Sequence, residues 1–389
     1  MGAPEIIQGR MLRFITAGQN LFDYYLRTVA ATAALTLVLA VIPVVAKWAL
    51  VGRWKAERFP VWGVKYFRFW LVKQLLQINP MQAFVGTPLY STYLRLLGAK
   101  IGRNTAILSR AVPVATDLIA IGDGTLISKD SLLSGYRARG NMIELGPVSI
   151  GSNAFIGEAT VLDIDTVMGD GTQLGNTSSL WSGQSVPDGK RYHGSPAIET
   201  ETDYVRVEPK VIGQGRRVGY SIFQLVGIFG LLAPIPPILL VELLPGALDT
   251  GEAHLAGVDV IPFDWWQIAG IAAMAASVLY LGGMLVSLAV IYVVPRLAWL
   301  FFRPGQTYAL YGFHYFLLRI IETFSNSRSL KAFFGDSSYI TGFLQFVGWD
   351  LGRVKQMGSN FGSMMKHDVP FLSKVGRGTM VSDGLSMIN

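Results

Sequence analysis

The sequence predicts a membrane protein whose transmembrane α-helices carry an inserted left-handed parallel β-helix, with the whole arrangement tandemly repeated. Three observations predict it. A hexapeptide run holds its register over 150–186, several stretches stay uncharged for the thickness of a bilayer, and the chain resembles itself at an offset of about 250 residues.

The hexads read IGSNAF, IGEATV, LDIDTV, MGDGTQ, LGNTSS, LWSGQS and VPDGKR, so an aliphatic residue recurs at Ile150, Ile156, Leu162, Met168, Leu174, Leu180 and Val186. In a left-handed β-helix each hexad forms one face of a triangular coil. Its aliphatic residue points inward onto the counterpart one coil away, and glycine or small polar residues take the cramped corners. IGRNTA from Ile101 and IGDGTL–ISKDSL from Ile121 extend the coils toward the N-terminus. SGYRARGNMIELG over 134–146 breaks the period and reads as a protruding loop, and HGSPA closes the domain at 193–197.

Half of the 389 residues are hydrophobic and 15% are charged, a balance too apolar for an ordinary soluble domain. With no cysteine, a disulfide scaffold, a zinc–thiolate site and a cysteine nucleophile are excluded. The net charge of +7 does not point to nucleic acid, because the Lys and Arg residues cluster beside the hydrophobic spans, as topology signals and anionic-lipid contacts do. No cleavable signal peptide is evident. Spans are expected at 29–51, 219–242 and 268–294, with a kink at Pro234, Pro236 and Pro237. The loop over 243–267 holds Asp249, Glu252, Asp259 and Asp264 and no Lys or Arg, so the positive-inside rule places it outside, together with 1–28. The β-helix over 86–200 and its linker at 201–218 then face the cytoplasm of a bacterial-type membrane. The interleaved aromatic and basic residues of 52–85 read as interfacial helices with snorkelling cations, and 295–333 repeats them.

The repeat is visible residue by residue. FVGTPLYSTYLRLLGAKIG at 84–102 aligns with FGDSSYITGFLQFVGWDLG at 334–352, WGVKYF at 62–67 with YGFHYF at 311–316, FDYY at 22–25 with FDWW at 263–266, and IGDGTLIS at 121–128 with VGRGTMVS at 375–382. The segment 334–389 is therefore expected to start a second β-helix of only one or two coils, too few to bury its own interior. The expectation is an excerpt of a longer polypeptide, or a chain whose last coils complete their core with a partner.

This combination of a GTPLYSTYLRLLGAKIG opening, hexapeptide coils, a GSPA close and repetition between paired spans resembles the membrane-embedded C-terminal region of ε-poly-lysine synthetase-type nonribosomal peptide synthetases. The resemblance covers nearly the whole chain. It implies tandem domains related to hexapeptide acyltransferases that join aminoacyl units delivered on a phosphopantetheine arm. The implied partners are membrane lipids, a carrier (thiolation) domain, and further β-helix repeats or a homo-oligomer. The implied donor is linked to phosphopantetheine or CoA, with no cofactor attached to this chain. Adenylation and carrier motifs are absent from the sequence.

Such enzymes use a histidine as general base beside backbone N–H groups that receive an oxyanion. The one histidine of the β-helix is His193, in the closing RYHGSPA, where a groove-lining role is the alternative. Two carboxylates, Asp117 before a coil and Glu144 at the end of the protruding loop, are the other candidate bases, whereas corner aspartates such as Asp163 and Asp165 ordinarily hold turn backbone. Tyr136, Arg137 and Arg139 of the loop, with Asn176, are candidate donor contacts, the arginines facing a phosphate or simply solvent. A three-histidine metal site inside the β-helix is excluded by histidine count. Two functions follow. One is a membrane-tethered acyl or aminoacyl transferase making amide bonds from a carrier-bound thioester. The other is a non-catalytic scaffold that docks the carrier and passes product to a membrane path.

Overall fold

The structure, a computed structural model, describes residues 21–205, 207, 212–232, 234, 265–335, 337–352, 356–357, 364–381 and 385–387. The segment 1–20, nearly all of the loop expected over 243–267, and the second span beyond Leu232 except for Pro234 lie outside them. The chain divides into two units, Met1–Asp249 and Thr250–Asn389.

In the first unit, α1 (Leu21–Leu50) is apolar all round with Pro43 inside it, and over Phe22–Leu50 it is long and apolar enough to cross a membrane. Leu37, Val38 and Val45 are all more than half exposed, so this stretch of apolar surface is uncovered among the described residues. After a short strand, β1 (Arg58–Pro60), α2 (Val64–Gln77) buries Phe69, Val72 and Leu76 along one face. Its other face exposes Phe67 and Trp70, and Trp62 just before it is 90% exposed. A single-turn 3-10 segment, Pro80–Phe84, leads to α3 (Pro88–Leu96), which opens on a proline at its first turn, where the missing N–H costs nothing.

The coils begin at Lys100. Parallel pairing stacks Ile101, Ile121, Ile150, Met168 and Val186 on one face. Ile107, Ile127, Ile156, Leu174 and Tyr192 stack on a second face, and Leu133, Leu162 and Leu180 on the third. The seven aliphatic residues of the hexads are at most 4% exposed, and this column is the core of the unit. The corners follow a rule. The fourth residue of every hexad, from Asn153 through Ala159, Asp165, Gly171, Thr177 and Gly183 to Gly189, has positive φ. The second is glycine in four of the seven hexads, and a Cβ on Gly151 would stand 2.6 Å from the Gly169 carbonyl oxygen. Where no coil follows, Trp181 takes that place.

The out-of-period segment is a hairpin, β2 (Tyr136–Arg139) and β3 (Met142–Leu145), and β1 adds a third strand on the β3 edge. Gly140 and Asn141 both have positive φ, the requirement of a two-residue turn whose twist matches the strands it joins. The coils end at β4 (Arg191–Gly194), which turns back through β5 (Ala197–Glu199). A helix, α4 (Gln214–Val226), then continues with a wider turn over Gly227–Leu232 and is tied back to the unit. Arg217 donates to Asn104 Oδ1 and the Thr105 carbonyl, and Gly230 accepts from the Tyr25 hydroxyl of α1.

The second unit opens with α5 (Trp265–Trp299), apolar enough to cross a membrane over Tyr280–Trp299. There follow α6 (Phe313–Ser325), α7 (Arg328–Phe334) and α8 (Tyr339–Val347). Three parallel strand pairs come next, Asp350–Leu351 with Lys374–Val375, Gln356–Met357 with Met380–Val381, and Lys366–His367 with Ser386–Met387. Phe343, Leu344 and Val347 of α8, with Trp349, fill the core of these coils.

Candidate functional site

The corners of the β-helix contain a repeated hydrogen-bond scheme, and the candidate site is where it changes. At the third hexad position a carboxylate or amide accepts from the backbone N–H one coil below. Asp170 accepts from Ser152, Asp188 from Asp170, and Asn176 from Glu158 at 2.9 Å. Asn176, a candidate substrate contact, thus has its side-chain oxygen engaged in turn backbone. At the fifth position a buried threonine donates to the carbonyl of its own corner, as Thr160 does to Gly157, Thr166 to Asp163 and Thr172 to Gly169.

Ser178 occupies the fifth position of the next hexad and departs from this scheme. Its hydroxyl is buried, lies 3.2 Å from His193 Nδ1, accepts from the Gly194 N–H at 3.1 Å and donates only at 3.4 Å to the Asn176 carbonyl. Tyr204 stacks on the imidazole with ring centroids 5.7 Å apart. Gly175 makes room for both, since a Cβ there would stand 2.6 Å from His193 Nδ1. The imidazole is nevertheless exposed at the end of the coils. A hydroxyl serves either tautomer of a histidine, so Ser178 fixes the ring while leaving Nε2 to face outward.

The other candidates lie elsewhere. Asp117, in the turn Thr116–Leu118, is at the opposite end of the coils, three to four strand spacings or about 15–20 Å from His193. Its Oδ2 pairs with Lys47 Nζ at 2.7 Å and accepts the Trp54 N–H at 3.0 Å, fastening the end of α1 to the first coil. Glu144 is on the hairpin and accepts from Arg58 Nε at 2.8 Å. Arg137 pairs with Asp163, whose carboxylate holds the guanidinium proton more firmly still. Tyr136 accepts from Lys73 Nζ at 2.7 Å, and Arg139 is exposed at the hairpin tip. The structure brings Tyr136, Arg137, Arg139 and Glu144 onto one hairpin and leaves His193, Asn176 and Asp117 apart from it. Ser178 and Tyr204 were not singled out from the sequence. The cue was a serine in a column of threonines, one turn from the single histidine of 86–200. Among the described residues no cluster of three His, Asp or Glu side chains could hold a metal ion.

No family model matches the chain. Among curated proteins it is similar to the delta-poly-L-ornithine synthetase of Acinetobacter baumannii (strain AB307-0294), 25% identical over 248 residues, which is 61% of this chain and 17% of that protein. The chain therefore spans well under a fifth of that relative's length. Among solved structures it partly overlaps a hexapeptide-repeat acetyltransferase from Vibrio cholerae (14% identical, 34% of this chain and 92% of that one, TM-score 0.28). It also overlaps a galactoside acetyltransferase in complex with coenzyme A (16%, 41% and 92%, TM-score 0.31) and an N-acyltransferase from Bacillus cereus in complex with dTDP and 3-hydroxybutyryl-CoA (14%, 28% and 76%, TM-score 0.24). The strand pairing described above, rather than these partial overlaps, carries the fold. Over three-fifths of its length the chain is similar to a poly-amino-acid synthetase, the kind of protein its sequence resembles.

Proposed function

We propose that the chain is a membrane-tethered hexapeptide-type transferase segment that forms amide bonds from an aminoacyl thioester, working as part of a larger synthetase. The similarity to a poly-ornithine synthetase, falling on a chain that folds as long apolar helices and β-helix coils rather than as an adenylation domain, is the observation that carries this reading. In it the spans 29–51, 219–242 and 268–294 cross the bilayer, 52–85 and 295–333 lie in its interface, and the left-handed β-helix faces the cytoplasm, with 243–267 outside. The matching order of elements in the two units, long helix, interfacial helices, short helix and then coils, supports a tandem repeat. The donor arrives on a phosphopantetheine arm of a carrier domain or on CoA, and neighbouring β-helices, from further repeats or further copies, complete the site.

The chemistry assigned to His193 is that of a general base. With its proton on Nδ1 and shared with Ser178 Oγ, Nε2 takes a proton from the acceptor amine as the nitrogen attacks the thioester carbonyl. The C–N bond forms, the C–S bond breaks, and the thiolate leaves with the proton that His193 returns. Tyr136, Arg137 and Arg139 remain proposed contacts for the donor phosphate, and Asp117 and Glu144 act through the ion pairs that hold the fold around the site. The test is amide formation by the full chain from an aminoacyl-pantetheine thioester and a free amino acid, followed by mass spectrometry. The expected result is product from the parent chain and a loss of about 10²-fold or more in His193→Ala with the β-sheet circular dichroism retained. Equal turnover in both chains would favour the scaffold reading, in which the coils only dock a carrier.

A further inference from the structure

Away from His193, a cleft of about 490 Å³ opens where α2 and the Pro80–Phe84 turn meet the first coils and the hairpin. Its charged lining is entirely cationic, Lys73 and Arg110, with Gln77, Gln82, Ser134 and Tyr136 as neutral polar groups and no Asp or Glu among the lining residues. Its floor is apolar, formed by Leu76, Val114 and Leu133, each at most 7% exposed. Lys73 is held in place by Tyr136, which accepts its proton at 2.7 Å and sets its ring 5.0 Å from Nζ. The volume is that of a small-molecule site. Two cations with no carboxylate among the described lining residues, set over an apolar floor, attract a group that is anionic at one end and apolar at the other, and a phosphate ester is an anion that both lysine and arginine bind well.

We infer that this cleft binds a phosphate ester bearing an apolar chain, the phosphate between Lys73 and Arg110 and the chain along Leu76, Val114 and Leu133. The place of the cleft supports the class of ligand. It is built on the inner face of α2, whose outer face exposes Phe67 and Trp70, so a ligand can enter from a membrane surface or from solvent. The two sources of such a phosphate are an anionic phospholipid, whose acyl chain matches the apolar floor, and a phosphopantetheine arm, whose amides would meet Gln77 and Gln82 and only its gem-dimethyl group the floor. The phospholipid source rests on the bilayer reading above and the phosphopantetheine source on the donor reading, in which case Lys73 and Arg110 hold the phosphate in place of Arg137 and Arg139.

The test uses the full chain in a non-ionic detergent. Dioleoyl phosphatidylglycerol and 4′-phosphopantetheine are titrated separately, and one-to-one adducts are counted by native mass spectrometry. Binding of either probe is expected to weaken about tenfold in Lys73→Gln or Arg110→Gln and about a hundredfold in the pair, while Lys73→Arg with Arg110→Lys stays within a few-fold. Retention by phosphatidylglycerol identifies the lipid source, retention by phosphopantetheine the donor source, and both support the site. Failure of both probes to bind, or binding undiminished in the double variant, overturns it. Equal weakening by Lys190→Gln on the last coil also overturns it, because the effect would then be bulk charge. Loss of amide formation with intact probe binding bears on the proposed function alone.

Discussion

The two units solve one structural problem with different chemistry. Each must fasten the end of a long apolar helix to the first turn of a β-helix. In the first unit Lys47 of α1, fully buried, meets Asp117 at 2.7 Å, and the carboxylate fills the space that Gly98, with φ +107°, leaves open. In the second, Arg296 of α5 donates to the Phe346 carbonyl and lies over Tyr292 at 3.6 Å and Phe371 at 5.8 Å. Phe371 fills the space left by Gly348, with φ +130°, as Asp117 does beside Gly98. An ion pair and a cation–aromatic stack are thus exchanged at one joint. The exchange teaches that the joint selects a cation on the helix and a space-filling partner on the coil, and that a carboxylate there serves attachment before any chemistry.

Breaking the ion pair has the largest expected effect. Asp117→Ala leaves a buried ammonium without its counter-charge, which costs about 3–5 kcal/mol, while Lys47→Met with Asp117→Leu recovers most of that because neither charge is then buried. Denaturant unfolding of the full chain in detergent, followed by β-sheet circular dichroism, measures both. A double variant no more stable than Asp117→Ala would mean that the carboxylate is needed for more than its partner.

The next effect is in the second unit and depends on pH. Lys331 of α7 is buried and donates to Asn326 Oδ1 and the Met365 carbonyl, and burial, with Lys366 nearby, pushes its amine down to about 8. Between that value and the ordinary 10.5 the unfolded chain holds the proton that the folded unit has released. The unit therefore gains stability as pH rises through this window, by up to about 3 kcal/mol, and loses it below about 8. Lys331→Met should flatten the dependence of unfolding midpoint on pH between 7.5 and 10. An unchanged slope would mean that the ammonium keeps its proton.

The smallest effect is at the second joint. Phe371→Leu keeps most of the apolar bulk and loses the ring, for about 1 kcal/mol, because Arg296 retains its carbonyl partners. A loss as large as that of Asp117→Ala would erase the distinction between the joints.

The coils were legible because every sixth residue must be apolar, and Ile150 through Val186 obey this without a slip. The corner aspartates were legible as turn acceptors for the same reason of position. The hairpin was not. Its residues break the hexad period and read as a loop, and its third strand, Arg58–Pro60, lies some eighty residues away in sequence, paired with Met142–Glu144 by main-chain hydrogen bonds that leave no side-chain pattern. Asp117 and Glu144 were chosen as carboxylates near coil edges. Their cations, Lys47 and Arg58, sit in segments whose basic residues the sequence explains equally well as topology signals. His193 was visible as the single histidine of the domain, but its contact with Ser178 depends on how the last corner folds back.

That contact carries the chemistry proposed for His193. The measurement that tests it most directly is a double-mutant cycle on amide formation with His193→Ala, Ser178→Ala and the two together. If Ser178 acts through His193, the histidine variant loses about 10²–10⁴-fold in kcat/KM, the serine variant about tenfold, and the double variant no more than His193→Ala alone. A double variant in which the two losses multiply, or a His193→Ala chain with undiminished turnover, would contradict it.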